Sequence, residues 1–316
     1  MRNLKSAFQV LAVYLSLSRP GKGFLKKAVK NSHLANQKLG HPARLGLDKI
    51  LYFIRIFKVC DKVFKAQVSG KLCADLGRQY GAMYSRFVAY GWFSLLLWSR
   101  LLEAFNLNFD EGAKERCVLV AFTHREWNDL FDNRGYTFDQ LIQAFDYESS
   151  IPKELSFLRQ LKHLERNYIP SEHAKAFYRH LEDLHVCSLF EYTPQKAQII
   201  LDQVAPFVAL VFIHVMVERV PAELEAAVKP IARWMYMLDE FIDLGRDRKI
   251  GRTTYMTMSN DPEGAIRQQC ELCRQAVSQY APRPDNFIKL IEMVTSIVIN
   301  SKQKGVDLEN SFLSLN

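Results

Sequence analysis

Residues 231–254 read IARWMYMLDEFIDLGRDRKIGRTT, an apolar first half followed by a run of mixed charges. On a helical wheel, Asp243 lies about 40° and Asp247 about 80° from Asp239. Arg246 lies about 20° to the other side of Asp239, so one arc of about 100° carries all four charges. Towards the N-terminus, the same face carries Ala232, Met235 and Tyr236. The stretch therefore predicts a long helix whose carboxylates stand above an apolar and aromatic wall.

This arrangement of carboxylates is unfavourable on an isolated helix. Like charges one turn apart repel by a few tenths of a kcal/mol per pair. The charges also approach the helix C-terminus, expected just before Gly251, where the helix dipole disfavours anions. A hard cation such as Mg²⁺ would relieve the conflict, because it prefers oxygen ligands and bridges carboxylates to substrate phosphates. The other interpretation is a solvent-exposed helix whose charges bind no metal.

A second segment, residues 117–133, reads CVLVAFTHREWNDLFDN and shows the same design. Relative to Asn128, the wheel puts Asp132 at about 40°, Arg125 at about 60° and Asp129 at about 100°. Apolar residues occupy the same arc one and two turns earlier, namely Val118, Ala121 and Phe122. We therefore expect a second helix with polar ligands at one end of a face and an apolar lining below them.

The rest of the chain predicts further helices and no convincing strand. Apolar residues repeat at the helical period over residues 47–63, 138–145 and 287–298. Residues 204–220 are apolar nearly all round, which is typical of a helix inside a large bundle. No linker divides the 316 residues, so we expect one all-α domain over residues 1–316, with residues 1–43 as a looser N-terminal helical arm.

The net charge and the absence of known motifs limit the classes of binding partner. The chain has 42 Lys and Arg against 34 Asp and Glu, a net charge of +8 that suits an anionic partner. No nucleic-acid-binding signature, P-loop or GxGxxG fingerprint is present, so we expect no nucleic acid, and the charge itself does not distinguish a membrane surface from a phosphorylated small molecule.

The cysteines and apolar runs bear on the compartment. Of six cysteines, only Cys270 and Cys273 are close in sequence, which favours the reduced thiols of a cytoplasmic protein over a zinc site. No apolar run reaches the roughly 20 residues of a spanning helix. We therefore expect no transmembrane segment, and only loose contact of the N-terminal segment with a membrane. The sequence leaves the oligomeric state open.

At the two acidic segments the chain resembles the class I isoprenoid (terpene) synthase superfamily, most of all the large-terpene synthases (class IB). Members carry a DDxxD motif on one helix and a second acidic motif facing it across a cavity. Here residues 128–132 (NDLFD) stand in for the first motif, with Asn128 in place of its leading aspartate. Asp239, Asp243 and Asp247 stand in for the second motif, followed by a basic run that ends at Arg252.

The resemblance implies a single large helical bundle with a central active-site cavity. It implies about three Mg²⁺ ions that clamp an allylic prenyl diphosphate together with basic side chains. The implied metal ligands are Asn128, Asp129, Asp132, Asp239, Asp243 and Asp247. The implied diphosphate contacts are Arg125, Arg246, Arg248, Lys249 and Arg252. Arg246, Arg252 and Tyr236 are the implied catalytic residues. The implied cavity lining is Phe122, Phe131, Phe207, Trp234, Met235 and Tyr236, and for each aromatic ring ordinary core packing is the other interpretation.

The resemblance implies one of two activities, and a third function remains if the acidic helices bind no metal. The first is a Mg²⁺-dependent terpene synthase that ionises a linear allylic prenyl diphosphate and releases pyrophosphate with a hydrocarbon or alcohol. The second joins two prenyl chains head to head, as squalene and phytoene synthases do. The third is a non-catalytic helical binding protein whose acidic helices hold no metal.

Overall fold

The computed structural model describes residues 68–80, 84–110, 112–134, 167–168, 193–249 and 251–303. Every regular element in these ranges is helical and none is a strand, which confirms the all-α prediction for this part of the chain. The helices predicted over residues 47–63 and 138–145, and the arm over residues 1–43, lie outside the described residues.

The described ranges contain nine α-helices and one π-helical segment. They are α1 (Gly70–Tyr80), α2 (Tyr84–Ala104), α3 (Ala113–Arg134), α4 (Pro194–Ile199), a π-helical segment (Ile200–Val204), α5 (Ala205–His214), α6 (Ala222–Lys249), α7 (Tyr255–Met258), α8 (Pro262–Tyr280) and α9 (Asp285–Gln303). α8 begins at Pro262, and two further prolines, Pro282 and Pro284, lie between α8 and α9. Asp261 caps the N-terminus of α8, because its carboxylate accepts the backbone N–H of Gly264 at 2.8 Å.

The chain divides into two compact units. The described part of the first unit comprises residues 68–80, 84–93 and 293–303, and the second unit spans residues 94–292. Both acidic segments belong to the second unit, on α3 and α6. A single domain over residues 1–316 stays a prediction.

The second unit is organised around α6, which packs against α5, α7 and α8. Pro230 lies inside α6 and interrupts its backbone ladder, since proline has no N–H to donate. The carbonyl of Pro230 accepts hydrogen bonds from two side chains of α8, Gln269 Nε2 at 2.9 Å and Cys273 Sγ at 3.0 Å. Burial raises the pKa of the Cys273 thiol, so the sulfur keeps the proton that it donates, and both Cys273 and Cys270 are free of disulfide bonds.

The helix before α6 has an irregular turn that the sequence did not predict. Ala205 donates its N–H to the carbonyl of Ile200, five residues back, and this wide turn precedes Pro206. Because Pro206 cannot donate to the carbonyl four residues before it, a wider turn avoids the clash between its ring and that carbonyl. The apolar helix ends at His214 and not near residue 220, and residues 215–221 form a turn followed by irregular chain.

One stretch of the described chain is long and apolar enough to cross a membrane. It covers the 18 residues Ala197–His214, and 56% of it is buried inside the protein. It carries Asp202, which forms an ion pair with Arg233 of α6. A core helix has these same properties, in keeping with the expectation of no transmembrane segment.

Candidate functional site

The acidic face of α6 is turned towards the protein interior. Asp243 is 4% exposed and Asp247 is 3% exposed, while Asp239 is half-buried. Burying carboxylates costs free energy unless cations or hydrogen bonds compensate them. The burial therefore disagrees with the interpretation of this face as a solvent-exposed, charge-laced surface.

A fourth carboxylate, which the sequence analysis missed, belongs to the same face. Glu240 lies about 100° from Asp239 on the wheel, at the edge of the arc of Asp243 and Asp247. Its Oε2 accepts the backbone N–H of Met256 at 3.1 Å. Burial, together with the charges of Asp239 and Asp247, raises the pKa of Glu240 to about 8. The spacing i, i+3, i+7 from Glu240 to Asp247 could have identified it.

The raised pKa of Glu240 makes the stability of the metal-free protein depend on pH. A carboxyl group whose pKa is higher in the folded state stabilises the fold fully below its unfolded value, and this contribution is lost as the pH rises through about 8. In EDTA, the free energy of unfolding of the wild type should therefore fall by about 4 kcal/mol more between pH 5 and pH 9 than that of Glu240→Gln. Urea unfolding at both pH values measures this difference. Equal pH dependence in the two proteins would contradict the raised pKa.

The apolar residues predicted to lie below the carboxylates differ in burial, some in the packed core and others half-buried. Trp234 and Phe122 are 0% and 1% exposed, so both rings lie in close packing. Tyr236, Met235 and Phe207 are half-buried. Tyr236 packs against Ile200 and Val204 of the π-helical segment. Among the aromatic residues predicted to line the cavity and with described side chains, Tyr236 and Phe207 thus retain exposed surface.

The C-terminus of α6 is closed by a Schellman motif. Gly251 has a φ of 67° and donates its N–H to the carbonyl of Arg248 at 3.3 Å. Arg252 donates its N–H to the carbonyl of Asp247 at 2.8 Å. The helix end therefore holds the backbone of Arg252 directly beside the last acidic turn. Arg246 and Arg252 are half-buried, whereas Arg248 and Lys249 are exposed.

Substituting Gly251 and Gly245 by alanine should have opposite effects on stability. Gly251→Ala puts a Cβ on a left-handed backbone and should lower the free energy of unfolding by about 1 to 2 kcal/mol. Gly245 is exposed within α6, and no heavy atom lies within 4 Å of an added Cβ. Gly245→Ala should therefore raise the free energy of unfolding by about 0.5 to 1 kcal/mol, since alanine is the better helix former. Urea denaturation measures the free energy of unfolding of both variants. If the two substitutions change it in the same direction, the assignment of Gly251 to the left-handed position at the end of α6 is contradicted.

The first acidic segment lies on α3, as the sequence predicts, but its polar side chains are outside the described part of the structure. These are Arg125, Asn128, Asp129 and Asp132, together with Phe131. The described part of the helix packs against α5, which in turn packs against α6. That the two acidic segments face each other stays a prediction.

The described carboxylates suit Mg²⁺ by donor type but do not form a complete ligand set. Oxygen donors are those that Mg²⁺ prefers, and the ion keeps several waters when few carboxylates bind it. Asp247 Oδ1 is buried and accepts no hydrogen bond among the described residues, although Asp247 makes other interactions. Within the described ranges, no three His, Cys, Asp or Glu side chains form a group that could hold a metal ion. Further ligands would come from water or from residues outside the described side chains, such as those predicted on α3.

A polar cluster that the sequence analysis missed lies at the start of α3. The Arg116 guanidinium binds both carboxylate oxygens of Asp110 and donates to the carbonyl of Val215 at 2.6 Å. Its charge also lies 4.2 Å from the ring centroid of Tyr168. The Arg116 guanidinium holds the pKa of Asp110 below its usual value. Arg116 thus joins three separate parts of the second unit in a structural role.

An open groove of about 530 Å³ lies along α4 and the π-helical segment. It is lined by Pro194, Gln195, Gln198, Ile199, Asp202 and Gln203. None of these residues was predicted to belong to the site. The groove therefore shares no lining residue with the carboxylates of α6.

Comparisons with known proteins add no relative. No protein-family model, curated protein or solved structure matches this chain. The resemblance to the isoprenoid synthases therefore stays a prediction that rests on the two acidic segments themselves.

Proposed function

We propose that the protein is a Mg²⁺-dependent terpene synthase, which ionises a linear allylic prenyl diphosphate and releases pyrophosphate. One observation carries the proposal. Asp243 and Asp247 are buried one turn apart on α6, and the Schellman motif holds Arg252 at the same end of that helix. Buried carboxylates beside arginines form a site where a metal and a phosphorylated ligand can compensate each other's charge.

The charged residues bind and orient the diphosphate. Asp239, Asp243 and Asp247 would hold Mg²⁺ from α6, and Asn128, Asp129 and Asp132 would hold it from α3. When bound, Mg²⁺ neutralises the charge that develops on the leaving diphosphate. Arg246 and Arg252 stabilise the same charge through guanidinium hydrogen bonds, which match phosphate oxygens in pairs. Arg125, Arg248 and Lys249 add positive charge around the diphosphate.

The apolar side chains receive the prenyl chain and exclude water. Tyr236 and Phe207 keep exposed ring surface, so they can contact a carbocation, which an aromatic face attracts by roughly 0.5 to 2 kcal/mol. Met235 and Phe131 would complete this lining. Trp234 and Phe122 are fully buried, so they belong to the packed core and present no exposed ring surface to a ligand.

Product analysis with a series of substrates tests the proposal. The protein is incubated with C10, C15, C20 and C25 allylic diphosphates in Mg²⁺ or in EDTA, and the extracts are examined by gas chromatography–mass spectrometry. The proposal predicts a terpene with the carbon number of its substrate, formed only with Mg²⁺. A product of doubled carbon number would identify head-to-head coupling instead. Absence of any product from the folded protein would favour the non-catalytic binding protein.

A further inference from the structure

The segment after α6 holds Arg252 through both of its backbone polar groups. The N–H of Arg252 donates to the carbonyl of Asp247 at 2.8 Å. The carbonyl of Arg252 accepts a hydrogen bond from Thr257 Oγ1 at 3.1 Å. The first bond ties Arg252 to the acidic helix, and the second ties it to α7.

Thr257 makes the second tie as part of a capping box. Its Oγ1 accepts the N–H of Thr254 at 2.6 Å, and its own N–H donates to Thr254 Oγ1 at 3.2 Å. The Thr257 hydroxyl has two acceptors within reach of its one proton, the carbonyls of Arg252 at 3.1 Å and of Thr254 at 3.0 Å. One hydroxyl group therefore joins the start of α7 to the residues that connect it with α6.

The other side of α7 is fastened to α6. Met256 is 0% exposed, and its N–H donates to Glu240 Oε2 at 3.1 Å. The chain thus forms a closed path from α6 through Arg252 and Thr257 to α7, and back to α6 at Glu240. The Thr257 hydroxyl thus supplies one of the two hydrogen bonds that hold the backbone of Arg252, the other being the bond from its N–H to the carbonyl of Asp247.

We propose that Thr257 is a positioning residue that holds Arg252 at the acidic end of α6. Because the role assigned to Arg252 is diphosphate binding, this inference rests on the proposed function. Thr257 contacts no substrate and acts through the backbone of Arg252. Its removal should loosen residues 251–254 while the helices on either side stay folded.

Limited trypsin digestion tests the positioning without any assumption about activity. In Thr257→Val, which keeps the shape but removes the hydroxyl, cleavage after Arg252 should become about tenfold faster than in the wild type. Cleavage after Arg274, exposed on α8, is the internal reference and should not change. Thr257→Ser retains the hydroxyl and should behave like the wild type. Equal cleavage after Arg252 in all three proteins would overturn the proposal.

A double-mutant cycle tests the functional part. Thr257→Val should lower kcat for pyrophosphate release about tenfold, and Thr257→Ser should restore it. In an Arg252→Met background, Thr257→Val should have no further effect, because Thr257 acts through Arg252. If the loss in kcat of the double variant equals the product of the losses of the two single variants, the positioning role is overturned.

The trypsin digestion and the kinetic double-mutant cycle distinguish failure of this proposal from failure of the proposed function. If the wild type releases no pyrophosphate, the proposed function fails, while the trypsin comparison still decides whether Thr257 holds Arg252. If Thr257→Val does not unfold cooperatively in urea, Thr257→Ala removes the same hydroxyl and replaces it in both measurements.

Discussion

Replacing Asp243 by asparagine is expected to lower kcat/KM for Mg²⁺-dependent pyrophosphate release by about a hundredfold to a thousandfold. Asparagine has nearly the same shape, but it removes a buried negative charge from the middle of the acidic face. A neutral amide binds Mg²⁺ less well than a carboxylate, so the charge on the leaving diphosphate would be poorly neutralised. Initial rates at several Mg²⁺ concentrations measure the loss.

The control for this variant is the same chemical change at an exposed site. Asp261 caps α8, and asparagine caps a helix about as well, so Asp261→Asn should leave both pyrophosphate release and stability nearly unchanged. Urea unfolding of Asp243→Asn shows whether the protein remains folded. A folded Asp243→Asn protein with wild-type kcat/KM would exclude Asp243 from the reaction.

Replacing Trp234 by alanine is expected to lower the free energy of unfolding by about 3 to 5 kcal/mol. The Trp234 ring is 0% exposed on α6, the helix against which α5, α7 and α8 pack. The truncation removes a large buried apolar surface and leaves a cavity that the surrounding helices fill only in part. Urea denaturation followed by circular dichroism gives the change in free energy.

An exposed apolar residue provides the matched comparison. Leu272 is 45% exposed on α8, so Leu272→Ala should change the free energy of unfolding by less than about 0.5 kcal/mol. Trp234→Phe keeps most of the apolar volume, so its loss in free energy of unfolding should lie between those of Trp234→Ala and Leu272→Ala. A loss below about 1 kcal/mol in Trp234→Ala would show that this ring does not lie in close packing.

Much of α6 could be predicted from the sequence because its pattern is local. Asp243 and Asp247 were predicted on one face from the helical period alone, and both lie buried. Gly251 was predicted at the helix end, and its positive φ agrees, since glycine adopts that conformation without strain. The all-α class follows from the same periodicity, which describes single helices well.

Features that depend on distant contacts could not be predicted in this way. The bond from Arg116 to the carbonyl of Val215 joins residues 99 positions apart, and no local pattern indicates such a pair. The π-helical turn before Pro206 is one of several ways to accommodate that proline, and packing selects among them. Glu240 is different, because its place on the acidic face was visible on the helical wheel. Its raised pKa, however, depends on burial by elements that the wheel does not contain.

The central claim is that the acidic end of α6 and Arg252 bind a diphosphate together with Mg²⁺. Titration of inorganic pyrophosphate into the full chain by isothermal calorimetry, with Mg²⁺ or with EDTA, tests it without a choice of prenyl chain. We predict saturable binding in Mg²⁺, none in EDTA, and at least about tenfold weaker binding by Asp243→Asn. Pyrophosphate binding that is absent in Mg²⁺, or that is equally tight in EDTA, would contradict the claim.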